Sequence, residues 1–579
     1  EPLGVREFAD GLQDVLVVEE KRPIIEQQLK DELYHCPPDR RPRVFGKYGV
    51  SEQGGAGGEW SHARPHDDWL LRATADLTPA IVAKAIAGLL KRRGVPADVQ
   101  ALLDARLAVI DAKERALAAG AVQGVDRLPW FCPGCPHNTS TKVPEGSKAM
   151  AGIGCHGMAV WMDRATTSWT QMGGEGTPWI GQAPFTKRKH MFSNLGDGTY
   201  NHSGLLAIRQ SIAAKVNITY KILFNSAVAM TGGQPIDGGG LGVAAMTREL
   251  EAEGIKRIVV VADEPARYTG VTGLAPGVTV RHRDQLDEVQ RELREVEGAT
   301  AIIYDQMCAT KKRRERKRGT RADVDMRVVI NELVCEGCGD CSVQSNCVAV
   351  QPQETEFGRK RSINQSTCNK DFSCVKGFCP SFVTVRGGNL KKPDAAPSAD
   401  PAALPSVPLP VLPAIASAWG IVVAGVGGTG VVTIGQVLGM AAHLEGKQVL
   451  TQDATGMAQM GGATWSHVQI ARQDSDIRAS RVAMANADLL IACDGIVAAN
   501  KTTLATLAPQ RTFVALNTHA TPTAAFVGNP DWQSPAAQCG EALGAIVGAE
   551  NLGQVDAEAL ATRILGGSVY ANMLMLGYA

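Results

Sequence analysis

The sequence has no excess of either charge, because 59 Lys and Arg side chains balance 59 Asp and Glu side chains. A neutral chain has no global field that would attract nucleic acid or an anionic membrane surface. It also lacks an apolar run close to the roughly 20 residues of a bilayer-spanning helix, and it has no signal-peptide pattern. We therefore expect a cytoplasmic protein that binds neither nucleic acid nor membrane.

The two ends of the chain lack the signals of natural termini. The first residue is Glu1 rather than methionine, and the last residues, NMLMLGYA, form an apolar helical pattern without a stop signal. We expect a fragment of a longer polypeptide. Its 579 residues suffice for roughly three to five domains, each with its own core.

Cysteine spacing typical of disulfides is also missing. Of the 14 cysteines, eleven lie between Cys132 and Cys379, mostly two to five residues apart. Such spacing is typical of metal ligands, and a cytosolic compartment would keep these thiols reduced.

Apolar strands alternate with helical patterns along most of the chain. Residues 14–34 predict a strand followed by a helix, and residues 77–94 predict an amphipathic helix. Between 127 and 310, short strands such as KRIVVVADEP alternate with helices, which predicts an α/β domain with a largely parallel sheet. A second α/β domain begins near residue 419.

Two segments are predicted to connect folded parts. The basic run KKRRERKRGTR at residues 311–321 is interpreted as a solvated linker, and the alternative is a docking site for an acidic partner protein. Residues 391–413 are rich in proline and alanine, which favours a tether with nothing to pack.

The tripeptide Gly196-Asp197-Gly198 predicts a site for a cation and a diphosphate. It ends one strand, and the next strand ends at Asn225, with 26 residues between Gly198 and Asn225. Mg²⁺ requires an octahedron of oxygens, of which Asp197, Asn225 and the backbone carbonyl of Ala227 supply three. Flanking glycines allow close approach of the backbone, and the following helix presents its N-terminus to the anion. The spacing resembles the diphosphate motif of thiamine-diphosphate enzymes.

Four features together resemble the 2-oxoacid:ferredoxin oxidoreductases: FCPGCPH at 131–137, GIGCHG at 152–157, the thiamine motif and the cysteine-rich insert. Within that group, AMTGGQP at 229–235 and CEGCGDC at 335–341 are most similar to indolepyruvate ferredoxin oxidoreductase in its large fused form. The resemblance implies oxidative decarboxylation of an aryl 2-oxoacid to an acyl-coenzyme A, with electrons passed through iron–sulfur clusters to ferredoxin, in a homo-oligomer. The alternatives are a ferredoxin oxidoreductase for pyruvate or a branched-chain acid, a non-oxidative thiamine enzyme, and a ferredoxin-like electron carrier with a non-catalytic thiamine fold.

The resemblance also implies a multidomain α/β fold, with a parallel-sheet domain for thiamine diphosphate, a ferredoxin-like insert with two 4Fe–4S clusters and a Rossmann-like γ-type domain. We divide the chain into the end of a preceding α/β domain (1–44), a helical and glycine-rich linker region (45–126), a thiamine-diphosphate-binding domain (127–310), a ferredoxin-like domain (311–390), a Pro/Ala-rich linker (391–418) and an incomplete γ-type domain (419–579). The glutamate that activates the aminopyrimidine in this family would lie in a domain before Glu1.

By the resemblance, thiamine diphosphate and its Mg²⁺ are bound by four short segments: Gly154 and Cys155; Gly196, Asp197, Gly198 and Thr199; Asn225 and Ala227; Thr231 and Gly232. His156 is the candidate catalytic residue, because a histidine beside the thiazolium steers the substrate carboxylate or relays a proton. His137 is interpreted as a local hydrogen-bonding residue.

The resemblance assigns a proximal 4Fe–4S cluster to Cys132, Cys135, Cys155 and Cys308. The residues themselves leave two alternatives open. Cys132 and Cys135 form a CxxC pair that also suits a structural zinc site, and Cys308 also suits a buried strand position as a small apolar side chain.

The cysteine-rich insert has the order of a two-cluster ferredoxin, in which the last cysteine of each half ligates the cluster of the other half. Cluster one is then ligated by Cys335, Cys338, Cys341 and Cys379, and cluster two by Cys347, Cys368, Cys374 and, in register, Asp371. If Asp371 binds iron, its oxygen holds the metal less firmly than a thiolate, and the cluster converts to a 3Fe–4S form. The alternative is that Asp371 is only a turn residue.

The loop GVGGTG at residues 425–430 follows a strand and opens a helix, which is a weak signal for phosphate binding. Glu445 and Asp453 are loose candidates for the acidic residue of a dinucleotide-binding site. The resemblance instead implies that this domain encloses the coenzyme A side of the site, with residues 456–467 as a site-facing loop.

Overall fold

The structure, a computed structural model, describes residues 2–47, 70–120, 126–230, 232–388, 415, 417–454 and 461–579. Most of the predicted Pro/Ala-rich linker lies outside these residues, as do Thr231 and the first part of the predicted loop 456–467. The chain forms two units, Glu1–Gly120 and Ala121–Ala579, which are described separately. No helix in the described ranges has both the length and the apolar character that a membrane crossing requires.

In its described residues, the first unit contains four helices and a short parallel strand pair. The helices are α1 Pro2–Ala9, α2 Ile24–Leu33, α3 Pro79–Arg93 and α4 Ala97–Gly120, and strand β1 Asp14–Leu16 pairs with β2 Arg43–Phe45. Thr78 caps α3, since its Oγ1 accepts a hydrogen bond from the Ile81 amide, and the helix ends at Gly94. These elements confirm the strand and helix predicted for residues 14–34 and the helix predicted for 77–94.

A seven-stranded sheet forms the first domain of the second unit. Its strands are β3 Ala149–Ala151, β4 Thr166–Trp169, β5 Met191–Gly196, β6 Ile218–Phe224, β7 Ile258–Ala262, β8 Thr279–His282 and β9 Ala299–Asp305. All are parallel, in the order β4-β3-β5-β6-β9-β7-β8. The helices around it are α5 His137–Ser140, α6 Thr177–Gln182, α7 Asp197–Thr199, α8 Leu205–Ala213, α9 Val243–Glu253, α10 Leu286–Arg294 and α11 Ala309–Lys317.

Both faces of this sheet are buried, as its near-continuous apolar strands require. Along β7, Val260 packs with Met246 of α9 on one face, while Val261 packs with Leu286 of α10 on the other. Because all strands run the same way, their carboxyl ends meet at one edge of the sheet. The loops at that edge carry the residues predicted to bind thiamine diphosphate.

The insert contains two antiparallel strand pairs and one helix. The pairs are β10 Met326–Ile330 with β13 Phe382–Arg386, and β11 Val350–Thr355 with β12 Gly358–Ile363, and the helix is α12 Asp340–Ser345. The insert cysteines lie on α12, on a 3₁₀ turn at Ser373–Val375 and in the loops between these elements.

The last domain has a six-stranded sheet that is only partly parallel. Its strands are β14 Trp419–Val426, β15 Gln448–Ala454, β16 Ala463–Ala471, β17 Leu489–Ala492, β18 Phe513–Asn517 and β19 Leu552–Val555, in the order β15-β16-β14-β17-β18-β19. Strand β16 is antiparallel to both neighbours, whereas β14, β17, β18 and β19 are parallel. The helices are α13 Val431–Leu444, α14 Gly495–Ala498, α15 Lys501–Thr506, α16 Ala525–Gly528, α17 Ala536–Val547, α18 Ala557–Leu565 and α19 Ala571–Tyr578. The predicted multidomain α/β architecture with a large parallel sheet is confirmed.

The basic run at residues 311–321 is not a solvated linker, and that interpretation is wrong. Most of it belongs to helix α11, and residues 311–316 are half-buried. The guanidinium groups donate hydrogen bonds to backbone carbonyls of other segments: Arg313 to Ser366 and Thr367, Arg314 to Gly232 and Gly233, and Arg316 to Asn369. Guanidinium groups with such partners tolerate partial burial. The helix therefore packs between the loop after β6 and the insert.

Candidate functional site

The predicted cation site lies where β5 and β6 end side by side. Asp197 is buried, and its Oδ2 accepts hydrogen bonds from the amides of Asn225 (3.1 Å) and Ser226 (2.9 Å). Its Oδ1 accepts from the Gly198 amide at 3.0 Å. Burial raises the pKa of Asp197 to about 6, although the three amides favour the charged form. The structure thus brings Asp197 and Asn225 into contact.

The turn after β6 brings together the other two predicted magnesium ligands. Ser226 has a left-handed backbone (φ 58°), and Asn225 Oδ1 accepts a hydrogen bond from the Ala227 amide at 3.1 Å. The buried carboxylate of Asp197 after β5, and an amide oxygen and a backbone carbonyl from the turn after β6, form a donor set that fits Mg²⁺. These three groups would hold the cation and, through it, a diphosphate.

His156, the predicted catalytic residue, lies against the same edge. Its ring is buried between two glycines: a methyl group at Gly154 would lie 2.7 Å from Nδ1, and one at Gly196 would lie 3.6 Å from Cε1. Burial, and then nearby Lys221, lower the pKa of His156 to about 4. The imidazole is therefore neutral near pH 7, and in the part of the chain that the structure describes Nε2 has no hydrogen-bond partner. His137, in contrast, has a local contact from Nδ1 to Ser140 Oγ at 3.3 Å.

Two polar residues that the sequence analysis did not identify also lie at this edge. Asn201 Nδ2 donates to the Asp197 carbonyl at 2.8 Å, and its Oδ1 accepts from the Leu241 amide at 2.8 Å. Glu175 follows β4, is fully buried and accepts a hydrogen bond from the Gly173 amide at 2.8 Å. Burial raises the pKa of Glu175. The helical i+4 spacing from Asp197 would have pointed to Asn201, whereas the loop MGGEG gives no comparable signal for Glu175.

The remaining predicted cofactor residues are distributed over the same loops. Gly198 and Thr199 lie in α7 directly after Asp197, and Thr199 is buried. Gly232 follows the turn after β6, and its carbonyl accepts a hydrogen bond from Arg314. Thr231 lies outside the described residues, so its predicted role stays a prediction.

The four cysteines predicted for the proximal cluster come from three segments. Cys132 and Cys135 precede α5, Cys155 follows β3, and Cys308 lies at the start of α11. Burial, and then the nearby Cys308 thiol, raise the pKa of Cys132 to about 12. The pKa of Cys135 is raised by burial and then by the other three thiols. Three buried thiols and the half-buried Cys155, which would repel one another as thiolates, fit a cluster whose iron supplies the compensating charge.

The spacing of these thiols bears on the zinc alternative. Across the described ranges, no three His, Cys, Asp or Glu side chains are close enough to share one metal ion. A zinc ion holds each thiolate about 2.3 Å from a single centre, whereas a 4Fe–4S cluster holds its thiolates around a cube of iron and sulfide. The zinc and cluster assignments both stay predictions.

The cysteines predicted for cluster two lie close together. Burial, and then Cys347 and Cys368, raise the pKa of Cys374 to about 12. The Lys370 amide donates a hydrogen bond to Cys368 Sγ at 3.4 Å. All three thiols are partly shielded from solvent. We call Cys347, Cys368 and Cys374 the inner group.

The cysteines predicted for cluster one range from the buried Cys335 to two exposed positions. Burial raises the pKa of Cys341 to about 11, and Cys335 and Cys338 contribute to the increase. Cys338 and Cys379 are exposed. We call Cys335, Cys338, Cys341 and Cys379 the outer group.

The CPGC turn of the proximal cysteines contacts the loops of the inner group. The Gly134 amide faces the Cys347 thiol, and Asn369 Nδ2 donates a hydrogen bond to the Pro133 carbonyl at 2.8 Å. Asn369 directly follows Cys368. Two inner-group loops therefore flank the turn that carries two proximal cysteines.

By its position in the cysteine motif, Asp371 takes the place of the fourth ligand of the inner group. Its side chain, however, faces the seven-stranded domain. Its Oδ1 accepts hydrogen bonds from Arg283 Nη1 (2.5 Å) and Gln306 Nε2 (2.9 Å), and its Oδ2 accepts from Ser373 Oγ. Both carboxylate oxygens therefore have partners within the protein.

A cavity of about 590 Å³ lies where the seven-stranded domain, the insert and the last domain meet. Basic side chains line one side: Arg127, Arg313, Arg314 and Lys317. The glycine loop after β14 lines another side through Gly428 and Thr429, and Gly232 of the loop after β6 reaches the same space. Positive charge beside open glycine backbone fits a phosphate-bearing ligand.

The topology around the glycine loop differs from that of a dinucleotide-binding site. Strand β14 is flanked by β17 and by the antiparallel β16, whereas a Rossmann fold places its acidic residue after a parallel neighbour. Asp453 is exposed on β15, one strand farther out, and Glu445 pairs with Lys447. This arrangement counts against a dinucleotide-binding site at the glycine loop.

Three family models match separate parts of the chain. The model for the indolepyruvate ferredoxin oxidoreductase middle domain matches residues 1–120, and that for the C-terminal TPP-binding domain of thiamine pyrophosphate enzymes matches residues 152–304. The model for pyruvate ferredoxin/flavodoxin oxidoreductase matches residues 420–579.

Several curated proteins are similar to the chain. Indolepyruvate oxidoreductase subunit IorA of Thermococcus kodakarensis is 26% identical over 394 residues, which cover 64% of this chain and 53% of that protein. IorA of Pyrococcus horikoshii is 26% identical over 423 residues, with 67% and 56% covered. A 74-residue stretch is 40% identical to indolepyruvate oxidoreductase subunit IorB of Archaeoglobus fulgidus, covering 13% of this chain and 35% of that protein. The chain spans about half the length of the IorA relatives that it matches.

Solved structures also align with parts of the chain. The 2-oxoglutarate:ferredoxin oxidoreductase from Magnetococcus marinus aligns with a TM-score of 0.24 and 19% identity, over 33% of this chain and 67% of that chain. The pyruvate oxidoreductase subunit PORC from Thermotoga maritima aligns with a TM-score of 0.19 and 19% identity, over 28% and 74%.

Proposed function

We propose that this chain, which belongs to the thiamine-diphosphate-dependent 2-oxoacid:ferredoxin oxidoreductase family, acts on an aryl 2-oxoacid of the indolepyruvate type. The proposed reaction is oxidative decarboxylation to the acyl-coenzyme A, with the electrons passed to ferredoxin. The observation that carries the proposal is a continuous set of contacts. It runs from the carboxyl edge of the seven-stranded sheet, which we call the thiamine edge, through the proximal cysteines to the inner group. A non-oxidative thiamine enzyme passes no electrons to an acceptor and therefore requires no path of electron carriers.

The residues at the thiamine edge have two proposed roles: some bind the cofactor, and His156 binds the substrate carboxylate or exchanges a proton. Asp197, Asn225 and the Ala227 carbonyl would hold Mg²⁺ and the diphosphate. Bound thiamine diphosphate supplies decarboxylation chemistry, and iron–sulfur clusters supply one-electron acceptors. His156 is neutral and lies beside Gly196, so its Nε2 is suited to hydrogen-bond a substrate carboxylate or to exchange a proton.

The order of the cysteine groups suggests the direction of electron flow. The CPGC turn of the proximal cysteines contacts the inner-group loop through the hydrogen bond from Asn369 to Pro133, and the outer group includes the exposed Cys338 and Cys379. We propose that electrons pass from the proximal to the inner and then to the outer group, where ferredoxin collects them. Phe378, beside Cys379, is fully exposed and offers the partner an apolar contact.

We propose that coenzyme A occupies the cavity at the junction of the three domains. Lys317 is the exposed basic residue on its wall. Replacing Lys317 with alanine should raise the KM for coenzyme A about fivefold and leave kcat unchanged, since a solvent-accessible charge pair is worth about 1 kcal/mol or less. Steady-state kinetics of the full-length polypeptide with varied coenzyme A measure both constants.

The control for Lys317→Ala is Arg318→Ala. Arg318 is also exposed and adjacent in sequence, but it is not among the residues that line the cavity. Arg318→Ala should leave the KM for coenzyme A unchanged. Equal effects of the two substitutions would show general electrostatic attraction rather than binding in this cavity.

The full-length polypeptide tests the proposed function directly. Under anaerobic conditions, indolepyruvate and coenzyme A together should reduce ferredoxin and yield the acyl-coenzyme A. Faster turnover of pyruvate or a branched-chain acid would replace the aryl assignment, and aldehyde release without ferredoxin reduction would contradict the oxidative route.

Because stretches similar to both IorA and IorB occur in this chain, we propose that it combines both subunits in one polypeptide that assembles as a homo-oligomer.

A further inference from the structure

We propose that Asp371 is a docking residue rather than an iron ligand, and that its carboxylate holds the loop of the inner group on the edge of the seven-stranded sheet. Oδ1 accepts hydrogen bonds from Arg283 Nη1 (2.5 Å) and Gln306 Nε2 (2.9 Å), and Oδ2 accepts from Ser373 Oγ. The Asp371 carbonyl also accepts from Arg283 Nη2 at 3.0 Å. One arginine therefore binds the residue through both its side chain and its backbone.

The receiving site is built by three neighbouring strands of the sheet. Asp263 follows β7, Arg283 follows β8 and Gln306 follows β9, and the strands are adjacent in the order β9-β7-β8. Arg283 Nε contacts Asp263 Oδ1 at 3.0 Å, and Tyr304 Oη donates to Gln306 Oε1 at 2.9 Å. Because Arg283 and Gln306 are buried and already oriented by these partners, the edge of the sheet is preorganised for a carboxylate.

The balance of charge at this site favours an acidic residue. Asp263 is also 3.8 Å from Lys312, so two cations, Arg283 and Lys312, face two carboxylates, Asp263 and Asp371. The Arg283 and Asp371 side chains are only 8% and 12% exposed. Removing one partner of such a buried pair leaves a charge with little solvent to compensate it. A cysteine thiol would supply neither the charge nor the two acceptor oxygens.

This role explains why aspartate stands where a two-cluster ferredoxin carries cysteine. The inner group then offers iron three protein thiolates, Cys347, Cys368 and Cys374, and leaves one iron to a ligand from outside the protein, such as water or hydroxide. This consequence rests on the proposed iron–sulfur function. The docking contact does not, because it joins only residues of this chain.

Asp371→Asn and Arg283→Gln in the full-length polypeptide separate docking from ligation. Each should lower the thermal midpoint and speed amide hydrogen exchange in residues 366–374, and the effect of the double variant should fall well short of the sum of the two single effects. Arg283→Lys, which keeps the charge, should restore part of the protection. Iron content and the 3Fe–4S paramagnetic signal after mild oxidation should be the same in Asp371→Asn and Arg283→Gln.

The matched control is Arg291→Gln on the neighbouring α10, where an exposed arginine pairs with Asp287. This variant should match the parent in stability, exchange and iron. If Asp371→Asn alone loses iron or changes the paramagnetic signal while Arg283→Gln does not, Asp371 is an iron ligand and the proposal fails. Additive destabilisation in the double variant would also overturn it. A protein that holds no iron at all would refute the proposed function, while the stability and exchange measurements would still decide the docking contact.

Discussion

Replacing Asp197 with alanine is expected to weaken the retention of thiamine diphosphate by more than about 100-fold, because even residues that only support metal ligands are worth about 10- to 100-fold. Asp197 is the carboxylate of the predicted motif, and it lies against Asn225 where β5 and β6 end. Its removal also leaves the amides of Gly198, Asn225 and Ser226 without their acceptor, so the turn itself loses its organisation. Thiamine content of the purified full-length polypeptide measures the effect.

Iron and sulfide content should stay at the parent level in Asp197→Ala, because the cysteine groups lie on other segments. Asp197→Asn keeps the size of the side chain and removes its charge, so it should lose the cofactor with a smaller loss of thermal stability. Asp163→Ala, at an exposed position of the same domain, is the control and should bind normally. Equal thiamine content in Asp197→Ala and the parent would disprove the assignment.

Replacing Cys155 with serine should remove one cluster, about four iron atoms per chain, and should abolish ferredoxin reduction while slow decarboxylation continues. Cys155 directly precedes His156, and the thiols of Cys132 and Cys308 add to the effect of burial in raising its pKa. Of the three cysteine groups, the proximal group (Cys132, Cys135, Cys155 and Cys308) lies next to both the proposed thiamine edge and the inner group. Without it, electrons from the substrate have no close acceptor.

Iron analysis and paramagnetic resonance spectroscopy of the full-length polypeptide check this expectation, together with carbon dioxide release and ferredoxin reduction. Cys36→Ser is the control, because Cys36 is half-buried in the first unit and belongs to none of the three groups. It should change neither iron nor activity. Undiminished ferredoxin reduction by Cys155→Ser would show that Cys155 is not a ligand and that the proximal assignment is wrong.

The sequence by itself determined the meeting of Asp197 with Asn225 and the class of fold. The motif from Gly196 to Asn225 covers two strands and the helix between them, and such a unit places both strand ends at one edge of a parallel sheet. The partners that define this part of the site therefore follow from local spacing. The same holds for the strand at Asp14 and the capped helix after Thr78, where short-range patterns decide the structure.

Tertiary structure alone decided the partners of the charged residues. The run at 311–321 has the composition of a solvated linker, yet Arg313 and Arg316 meet carbonyls more than 50 positions away. Asp371 has the register of an iron ligand, yet its partner Arg283 is 88 positions distant. A charged side chain forms an ion pair, a hydrogen bond or a metal bond according to which groups face it at close range. That depends on how distant segments pack, and neither spacing nor composition within one segment contains this information.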